Sequence, residues 1–281
     1  MTTLHPDKVP ASRSGRSLLA VMDAAAREAG LIIKNGYGNH GRQRFKGPRD
    51  LVTEIDTRSE KTIAERLKLE FPGFGFLGEE TGHAPGTTGF DWVVDPLDGT
   101  RNFILRIPMF CVSIALTRNR RPVAGVIFDV LHDESFAAEA GRGVTVNGVP
   151  LELERPGSLQ ETVVGYDLSR DTAKALAMLE VIQRLEPTVQ SVRGLGSTAL
   201  GLAYAGAGRL HMYVSWGGAW DVAAGLVIAR EGGAEVVDRL GGEATIDSGG
   251  YIVAEKRVLS EFLELSSDLI FRDPRFGNTR R

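Results

Sequence analysis

The sequence predicts a mixed fold of two layered halves, an α+β half followed by an α/β half. Three observations predict it: helical patterns at the start, strand patterns with turns over residues 91–151, and alternating strands and helices from residue 162. The pattern changes around residues 154–158. Helices around an antiparallel sheet, followed by alternating elements, are typical of layered domains. We therefore divide the chain into an N-terminal α+β subdomain, residues 1–155, and a C-terminal α/β subdomain, residues 156–281.

Two helices and a set of strands make up the predicted N-terminal half. Apolar residues from Leu18 to Ile33 follow the i, i+3, i+4, i+7 spacing of an amphipathic helix. A second helix is predicted to begin at Thr57, because Thr57 and Glu60 match the pattern of a capping box, and to end before Pro72. Strands are predicted over residues 91–94, 111–117, 123–129 and 135–139, with a hairpin turn at residues 147–148.

In the C-terminal half, strands and helices are predicted to alternate. The predicted strands cover residues 162–166, 188–192, 210–214 and 251–254. The predicted helices cover residues 172–185, 198–205 and 222–230. This alternation separates the second half from the strand-rich first half.

Composition and charge exclude several classes of protein. Lys and Arg number 33 and Asp and Glu 36, a net charge of −3, whereas a dedicated nucleic-acid-binding protein usually carries a basic excess. Cys111 is the single cysteine, so the chain has no internal disulfide and too few thiolates for a zinc site. Residues 1–17 lack the apolar stretch of a signal peptide, and no apolar run approaches the roughly 18 residues of a membrane span. We expect neither a nucleic-acid nor a membrane partner, and a cytoplasmic location.

The densest chemical signal lies in residues 91–103. An apolar strand brings Asp95 to its predicted end, where Pro96 stops the strand, and a turn at Asp98 precedes a helix that starts at Thr100. Two carboxylates at such a turn can converge, and the first amides of the helix attract an anion. Carboxylates and an anion repel each other unless cations lie between them. We infer a metal-bridged phosphate here; a capped strand-to-helix turn without a ligand is the alternative.

Three further acidic segments accompany this turn. Glu79 follows the apolar residues 74–77, Asp56 precedes a predicted helix, and Asp221 begins another. Taken singly, each residue also has an explanation without a metal site. Glu79 could belong to a solvated surface, and Asp56 and Asp221 could be helix caps. No cysteine or histidine is interleaved among them, and all-oxygen ligands select Mg²⁺ or Mn²⁺ before Zn²⁺.

Together these four segments resemble the inositol monophosphatase family. The motifs that carry the resemblance are Asp50-Leu51-Val52-Thr53-x-x-Asp56, Gly78-Glu79-Glu80, Asp95-Pro96-Leu97-Asp98-Gly99-Thr100-x-Asn102-Phe103 and Trp220-Asp221-x-Ala223-Ala224-Gly225. They follow the family's order. The resemblance implies a layered αβαβα sandwich of the sugar-phosphatase type with the site between its halves. It also implies a homodimer, Mg²⁺ dependence and sensitivity to lithium.

The resemblance further implies a role for each motif residue. The metal ligands would be Glu79, Asp95, the backbone carbonyl of Leu97, Asp98 and Asp221, holding two or three Mg²⁺ ions for which Mn²⁺ could substitute. The catalytic residues would be Thr100, Asp56 and Glu79, with Thr100 and Asp56 orienting and deprotonating the attacking water. Phosphate and substrate contacts would come from Asp98, Gly99, Thr100, Gly196, Ser197, Thr198, Asp221, Arg193 and Lys46.

The activity expected from the resemblance is hydrolysis of inositol 1-phosphate or a related polyol or sugar phosphate. Inositol-cleaving members carry a Glu seven residues before the motif Asp, and Val214 takes that position here. We therefore expect weak selectivity for inositol phosphate, which Val214→Glu would raise. Arg193 resembles members that also cleave fructose 1,6-bisphosphate, with a surface arginine as the alternative, and Lys46 could equally be a solvated loop lysine. Histidinol-phosphatase activity and a non-catalytic regulatory binding role stay open.

Overall fold

The computed structural model describes residues 9–39, 43–47, 50–154 and 156–276. Seven α-helices lie within these residues: α1 (Leu18–Gly36), α2 (Glu54–Glu70), α3 (Thr100–Leu105), α4 (Thr172–Leu185), α5 (Thr198–Gly206), α6 (Ala219–Glu231) and α7 (Lys256–Leu265). No helix of this described part is long and apolar enough to cross a membrane.

The same residues form fifteen strands. Those of the first half are β1 (Gln43–Gly47), β2 (Asp50–Thr53), β3 (Gly75–Gly78), β4 (Gly82–Ala84), β5 (Phe90–Asp98), β6 (Cys111–Arg118), β7 (Arg121–Asp129), β8 (Glu134–Glu139), β9 (Val144–Val146) and β10 (Val149–Pro150). Those of the second half are β11 (Val163–Tyr166), β12 (Ser191–Gly194), β13 (Met212–Trp216), β14 (Glu235–Asp238) and β15 (Gly250–Ala254).

These strands form two mixed sheets and a separate hairpin. The larger sheet has the order β10-β9-β8-β7-β6-β5-β3-β4, and the smaller sheet has the order β12-β11-β13-β15-β14. In the larger sheet β3 runs parallel to β5, and the other neighbours are antiparallel. In the smaller sheet β11 runs parallel to β12 and β13. Strands β1 and β2 form the antiparallel hairpin.

Three apolar layers hold the helices and sheets together in an αβαβα stack. Helices α1 and α2 cover one face of the larger sheet, α5 and α6 fill the space between the two sheets, and α4 and α7 cover the outer face of the smaller sheet. Fully buried members of the three layers are, in that order, Met22 and Trp92, Leu200 and Tyr213, and Met178 and Phe262. The expected layered sandwich is confirmed.

The second helix starts earlier than the sequence pattern predicted. Helix α2 begins at Glu54 and not at Thr57, because Thr53 is its N-cap. The Asp56 carboxylate accepts hydrogen bonds from the Thr53 backbone N–H at 2.8 Å and from the Thr53 hydroxyl at 2.5 Å. These hydrogen bonds form a capping box at Thr53, four residues before the predicted one. Glu60, the second residue of the predicted capping box, is buried.

Strand β5 continues past Pro96, which was predicted to end it. The strand pairs with β6 through Asp95 opposite Ser113 and again through Asp98 opposite Cys111, with a register shift between the two pairs. Pro96 lies in this bulge, where a missing N–H costs no ladder hydrogen bond. Residues three apart on a regular strand point to opposite faces, so the extra residue allows Asp95 and Asp98 to face the same space.

Other differences concern short elements and element ends. The hairpin turn at residues 147–148 is confirmed, with positive φ angles of 49° at Asn147 and 78° at Gly148. Strands β12 and β13 begin at Ser191 and Met212, later than predicted. The sequence did not predict β1, β2, β4, β14 or α7. Residue 155, the predicted boundary, lies outside the described residues.

Candidate active site

Three carboxylates converge where the larger sheet meets the middle helical layer. Asp95 and Asp98 come from β5, and Asp221 lies in the first turn of α6. Each offers an oxygen, and these oxygens all lie within 4.8 Å of one another. Asp95 is 2% exposed and Asp98 is 8% exposed. So much negative charge away from water is unfavourable unless a cation neutralises it.

The pKa values of these carboxyls reflect that cost. Burial, together with the negative charges of Glu79 and Asp98, raises the pKa of Asp95 well above its ordinary value. Burial raises the pKa of Asp98 to about 6, and burial with the charge of Asp98 raises the pKa of Asp221 to about 7. A bound divalent cation would favour the ionised form of all three, and their all-oxygen donor set suits a hard cation.

Glu79 reaches this cluster from the end of β3. The parallel register pairs Gly78 with Val94, and the Glu79 backbone N–H donates to the Val94 carbonyl at 3.2 Å. This pairing places Glu79 beside Asp95, whose pKa its charge helps to raise after burial. The strand pairing therefore brings the charge of Glu79 close enough to affect Asp95, although Glu79 is not among the residues whose oxygens lie within 4.8 Å of one another.

Glu60 supports the turn that carries Glu79, and the sequence analysis did not identify it as a site residue. Its side chain is 1% exposed and accepts a hydrogen bond from the Glu80 backbone N–H at 2.9 Å. The turn packs directly on this carboxylate, because a Cβ added at Gly78 would lie 2.4 Å from Glu60 Oε2. The available signal was its position four residues after Asp56, on the same face of α2.

Thr100 and Asp56 form a buried hydroxyl–carboxylate pair. The Thr100 hydroxyl lies 3.1 Å from Asp56 Oδ1 and 3.0 Å from the Leu97 carbonyl oxygen, either of which can accept its hydrogen bond. Asp56 Oδ2 is occupied by the two hydrogen bonds from Thr53. Burial raises the pKa of Asp56 although these hydrogen bonds oppose the shift. Asp56 is thus both a helix-capping residue and the partner of Thr100.

The side chain of Ser197 is buried and contacts Asp98. It was expected to contact substrate, but its side chain is 1% exposed and its hydroxyl donates to Asp98 Oδ2. The same oxygen accepts a hydrogen bond from the Ala199 backbone N–H at 2.9 Å. Because both donors come from the start of α5, that helix start fixes the orientation of Asp98. The Ser197 side chain thus orients Asp98, and the substrate contact predicted for this residue stays a prediction.

A cavity of about 480 Å³ opens in front of Asp98 and Asp221. Gly99 and Thr100 line it at the start of α3, and Gly196 and Thr198 line it at the start of α5. Gly99 has a φ of +89°, and a Cβ added there would lie 2.8 Å from the Met109 carbonyl oxygen. The chain can therefore make this approach only with glycine at Gly99.

Asn102 connects the two sides of the cavity. Its side-chain amide donates to the carbonyl oxygens of Met109 and Leu195, each at 2.8 Å. Gly196 follows with a φ of +74°, and a Cβ added there would lie 2.8 Å from Asn102 Nδ2. The amide therefore holds residues 195–198 close to α3 and sets the width of the cavity.

Asp167 is a cavity residue that the sequence analysis missed. Its carboxylate, 7% exposed, accepts hydrogen bonds from the Tyr213 hydroxyl and the Gly196 backbone N–H, with the Thr198 hydroxyl at 3.4 Å. Burial raises the pKa of Asp167 to about 7. The only signal was its position directly after β11, which no recognised motif covers.

One predicted substrate contact, Arg193, does not line the cavity, and another, Lys46, has a side chain that the structure does not describe. Arg193 lies exposed on β12, an edge strand of the smaller sheet, where its guanidinium donates to the Val192 carbonyl oxygen at 2.8 Å. It does not line the cavity, and its contact with substrate stays a prediction. Lys46 belongs to β1, but its side chain lies outside the described part of the structure.

Val214 lies in the apolar core and not at the cavity, where the family resemblance had placed it. Met212, Val214 and Trp216 belong to the apolar layer between the smaller sheet and helices α4 and α7. Tyr213 belongs to the opposite layer, as the alternation of side chains along a strand requires. Val214 is 0% exposed and does not line the cavity, so a carboxylate at this position would enter the core. The expectation that Val214→Glu would raise inositol selectivity loses its basis.

We expect Val214→Glu to destabilise the protein instead. A carboxyl group in this layer would be buried without a partner, at a cost of at least about 3 kcal/mol. The midpoint of thermal unfolding should fall by roughly 10 °C, whereas Val214→Ile, which keeps the site apolar, should change it far less. Differential scanning calorimetry checks this. An unchanged midpoint, with improved selectivity for inositol 1-phosphate, would place residue 214 at the cavity after all.

Three residues on the smaller-sheet side of the cavity were not predicted as a group. Arg170, Lys174 and Trp216 all line it. Burial raises the pKa of Asp221, and the positive charge of Arg170 opposes that shift. Trp216 belongs both to the apolar layer on the outer face of the smaller sheet and to the wall of the cavity.

Comparisons with known proteins agree with this geometry. Residues 15–269 match the inositol monophosphatase family. The chain is 37% identical over 254 residues to inositol monophosphatase 1 of Solanum lycopersicum, an alignment that covers 88% of this chain and 93% of that protein. It is 36% identical to the Nus factor SuhB of Pasteurella multocida, with coverage of 88% and 94%.

A solved structure shows the same fold. The extragenic suppressor protein suhB of Bartonella henselae superposes with a TM-score of 0.86 at 32% identity, covering 90% of this chain and 99% of that one. Family match, sequence identity and fold extend over nearly the whole chain. The chain belongs to the inositol monophosphatase family.

Proposed function

We propose that this protein hydrolyses phosphate monoesters of polyols or sugars with the help of Mg²⁺. The observation that carries the proposal is the buried cluster of Asp95, Asp98 and Asp221, whose oxygens lie within 4.8 Å of one another beside a cavity large enough for such a substrate. Phosphatases are named among the relatives of this chain, which supports the reaction class.

The residues that would hold the metal ions follow from the cluster. Asp95, Asp98 and Asp221 would supply carboxylate oxygens, and Glu79 and the Leu97 carbonyl would complete the set. Two divalent ions supply charge neutralisation for phosphoryl oxygens and acidify a water molecule. Ser197 and the backbone of Ala199 hold Asp98 in its orientation, and Gly218 does so for Asp221 through an N–H donated at 2.6 Å.

Thr100 and Asp56 would handle the proton of the attacking water. In the present geometry the Thr100 hydroxyl can donate to Asp56 Oδ1 at 3.1 Å, leaving the threonine oxygen free to accept a hydrogen bond from water. A proton leaving the water would pass to the Thr100 oxygen as the Thr100 proton passes to Asp56. The raised pKa of Asp56, caused by burial, makes this carboxylate a better base.

The start of α3 would bind the phosphoryl group of the substrate. Gly99 and Thr100 line the cavity there, and the first backbone amides of a helix have no partner within the helix. These amides and the metal-binding carboxylates border the same space. The first amides of α3 would therefore donate hydrogen bonds to the phosphoryl oxygens of a substrate in this cavity.

A substrate panel tests the proposal. Inositol 1-phosphate, glycerol 2-phosphate, fructose 1,6-bisphosphate, histidinol phosphate and a nucleoside monophosphate should be incubated with the protein and Mg²⁺, and released phosphate measured. We expect release from polyol and sugar esters and little from the nucleotide. Absence of release from every ester, with folded protein and at any Mg²⁺ concentration, would contradict the proposal.

Lithium is expected to inhibit this activity at millimolar concentration. Li⁺ is a small hard cation that could occupy the site framed by Asp95, Asp98 and Asp221. Because it carries one charge less than Mg²⁺, it would bind there without giving full neutralisation of the phosphoryl oxygens. Initial rates should be measured over a LiCl series, with NaCl at equal ionic strength as the control. Equal rates in both salts would show that this site differs from that of lithium-sensitive relatives.

A non-catalytic binding role is the second candidate. Relatives named Nus factor SuhB, such as the one 36% identical to this chain, favour it. The intact carboxylate set favours catalysis, because a purely binding role does not require those buried charges.

We also propose that the protein forms a homodimer, which light scattering would test, and that its two subdomains divide near residue 155, which limited proteolysis would test.

A further inference from the structure

Trp216 connects the smaller sheet with the wall of the cavity. It is the last residue of β13, it is 8% exposed, and it lines the cavity. In the loop that follows, the Gly217 backbone N–H donates to the Gly249 carbonyl oxygen at 3.1 Å, and the Gly218 N–H donates to Asp221 at 2.6 Å. Because these two hydrogen bonds do not involve the Trp216 side chain, the ring shapes the wall while other contacts orient Asp221.

The same ring contacts the first turn of α4. The Trp216 indole N–H donates to the Lys174 backbone carbonyl oxygen at 3.1 Å. The Lys174 ammonium lies 5.1 Å from the centre of the ring, and Lys174 also lines the cavity. A displaced ring would therefore disturb two residues of one wall.

Two aromatic rings pack against Trp216 from a short segment near residue 270. The ring centre of Phe271 lies 5.1 Å from that of Trp216, with the planes at 76°, and the ring centre of Phe276 lies at 6.0 Å. The family match ends at residue 269, so both contacts come from residues that it does not cover. We call residues 271–276 the backing segment.

Arg239 attaches the backing segment to the smaller sheet. Its guanidinium donates to three carbonyl oxygens, those of Phe271 at 2.9 Å, Asp273 at 2.7 Å and Phe276 at 2.5 Å. Arg239 is 5% exposed, and its backbone N–H donates to the carbonyl oxygen of Gly250 in β15 at 3.0 Å. Since a buried donor that loses its acceptors is costly, these hydrogen bonds keep the backing segment in one place.

We propose that the backing segment is part of the active site, because Phe271 and Phe276 position Trp216 and thereby shape the wall that receives the alcohol part of the substrate. This inference rests on the proposed hydrolase function and deepens it. The phosphate would bind at the start of α3, which belongs to the larger-sheet side, and Trp216 belongs to the smaller-sheet side. A ring-shaped alcohol would contact this wall more extensively than a three-carbon alcohol.

Phe276→Ala in the full chain tests the proposal. Phe276 is half-buried, so its truncation removes the contact with Trp216 and leaves the buried Phe271 in place. Phe276→Tyr keeps the ring and is the conservative variant. Ile270→Ala is the matched control, because Ile270 is 45% exposed, lies next to the backing segment and is not part of the apolar layer that contains Trp216.

We expect Phe276→Ala to raise KM for inositol 1-phosphate by roughly 3- to 10-fold, the size of effect that the loss of one aromatic contact produces. The kcat and the Mg²⁺ concentration for half-maximal activity should change less than twofold, since Asp221 keeps its contact with Gly218. KM for glycerol 2-phosphate should also change less than twofold. Phe276→Tyr and Ile270→Ala should behave as the wild type does.

Tryptophan fluorescence gives a readout that does not depend on activity. Removal of the Phe276 ring exposes the indole of Trp216, so quenching by acrylamide should increase and the emission maximum should move to longer wavelength. Trp92 and Trp220, the other two tryptophans, supply a constant background. Phe276→Tyr and Ile270→Ala should leave quenching unchanged.

Equal changes of KM for both esters, no change for either, or unchanged quenching in Phe276→Ala would overturn the proposal. If this variant does not fold, Trp216→Phe, which removes the indole N–H donated to Lys174, takes its place in the kinetic comparison with the same expected result. If the wild type hydrolyses neither ester, the proposed function fails separately, and calorimetric titration with inositol 1-phosphate decides about the backing segment. Weaker binding in Phe276→Ala than in Ile270→Ala would then support the proposal, and equal affinity or no binding would overturn it.

Discussion

Asp95→Asn is expected to reduce kcat/KM by at least about a thousandfold while the protein stays folded. Asp95 offers an oxygen within 4.8 Å of those of Asp98 and Asp221, so the loss of its charge weakens the binding of any cation held there. The metal contribution to the stabilisation of transition-state charge amounts to several kcal/mol, which corresponds to this factor in rate. Steady-state kinetics at saturating Mg²⁺ give the measurement.

The same substitution has a second expected result in the absence of metal. Burial and the charges of Glu79 and Asp98 raise the pKa of Asp95, so the ionised form is unfavourable in the folded protein. Asparagine removes this cost, and the thermal midpoint in EDTA should stay equal or rise. Asp91→Asn, at the other end of β5, serves as the control and should leave activity unchanged. Full activity of Asp95→Asn would contradict the metal assignment.

Thr100→Val is expected to lower kcat by roughly 100- to 10,000-fold, the range associated with losing a general acid–base contribution. Valine has nearly the shape of threonine but no hydroxyl, so Asp56 Oδ1 loses the donor that lies at 3.1 Å. The carboxylates that would hold Mg²⁺ are unchanged. The Mg²⁺ concentration for half-maximal activity should therefore move little.

The conservative variant separates this role from a structural one. Thr100→Ser keeps the hydroxyl and should retain activity within about tenfold of wild type, since the proton-transfer contribution is preserved. Thr62→Val, which removes a half-buried threonine hydroxyl that donates to the Arg58 carbonyl on α2, is the control and should have no effect on kcat. Equal activity of Thr100→Val and Thr100→Ser would rule out the hydroxyl as the group that orients and deprotonates water.

The local parts of the site could be predicted from the sequence, because short motifs define them. Asp95 and Asp98 lie three residues apart, and the combination with Glu79, Asp56 and Asp221 resembled one family. How these side chains are placed relative to one another depends on strand pairing, which the motifs alone do not show. The bulge at Pro96, for example, was read as a strand end although it lets both aspartates face the same space.

The features of the site that the sequence did not predict are of two kinds. They depend on the direction of a side chain, or on contacts between segments that are distant in the sequence. Sequence spacing placed Val214 correctly along β13 but could not say which face of the strand it occupies. Ser197 donates to Asp98 across 99 positions in the chain, a contact that no local pattern reports. Asp167 and Lys174 reach the cavity because β11 and α4 end or begin there. Such residues become visible only when the sheets are assembled.

The most direct test of the account is a Mg²⁺ titration of protein freed of metal with EDTA, with phosphate release from inositol 1-phosphate as the readout. We expect no release without a divalent cation and full recovery as Mg²⁺ fills the cluster of Asp95, Asp98 and Asp221. Recovery should be lost in Asp95→Asn. Hydrolysis that persists without metal, or that Asp95→Asn supports as well as the wild type, would contradict it.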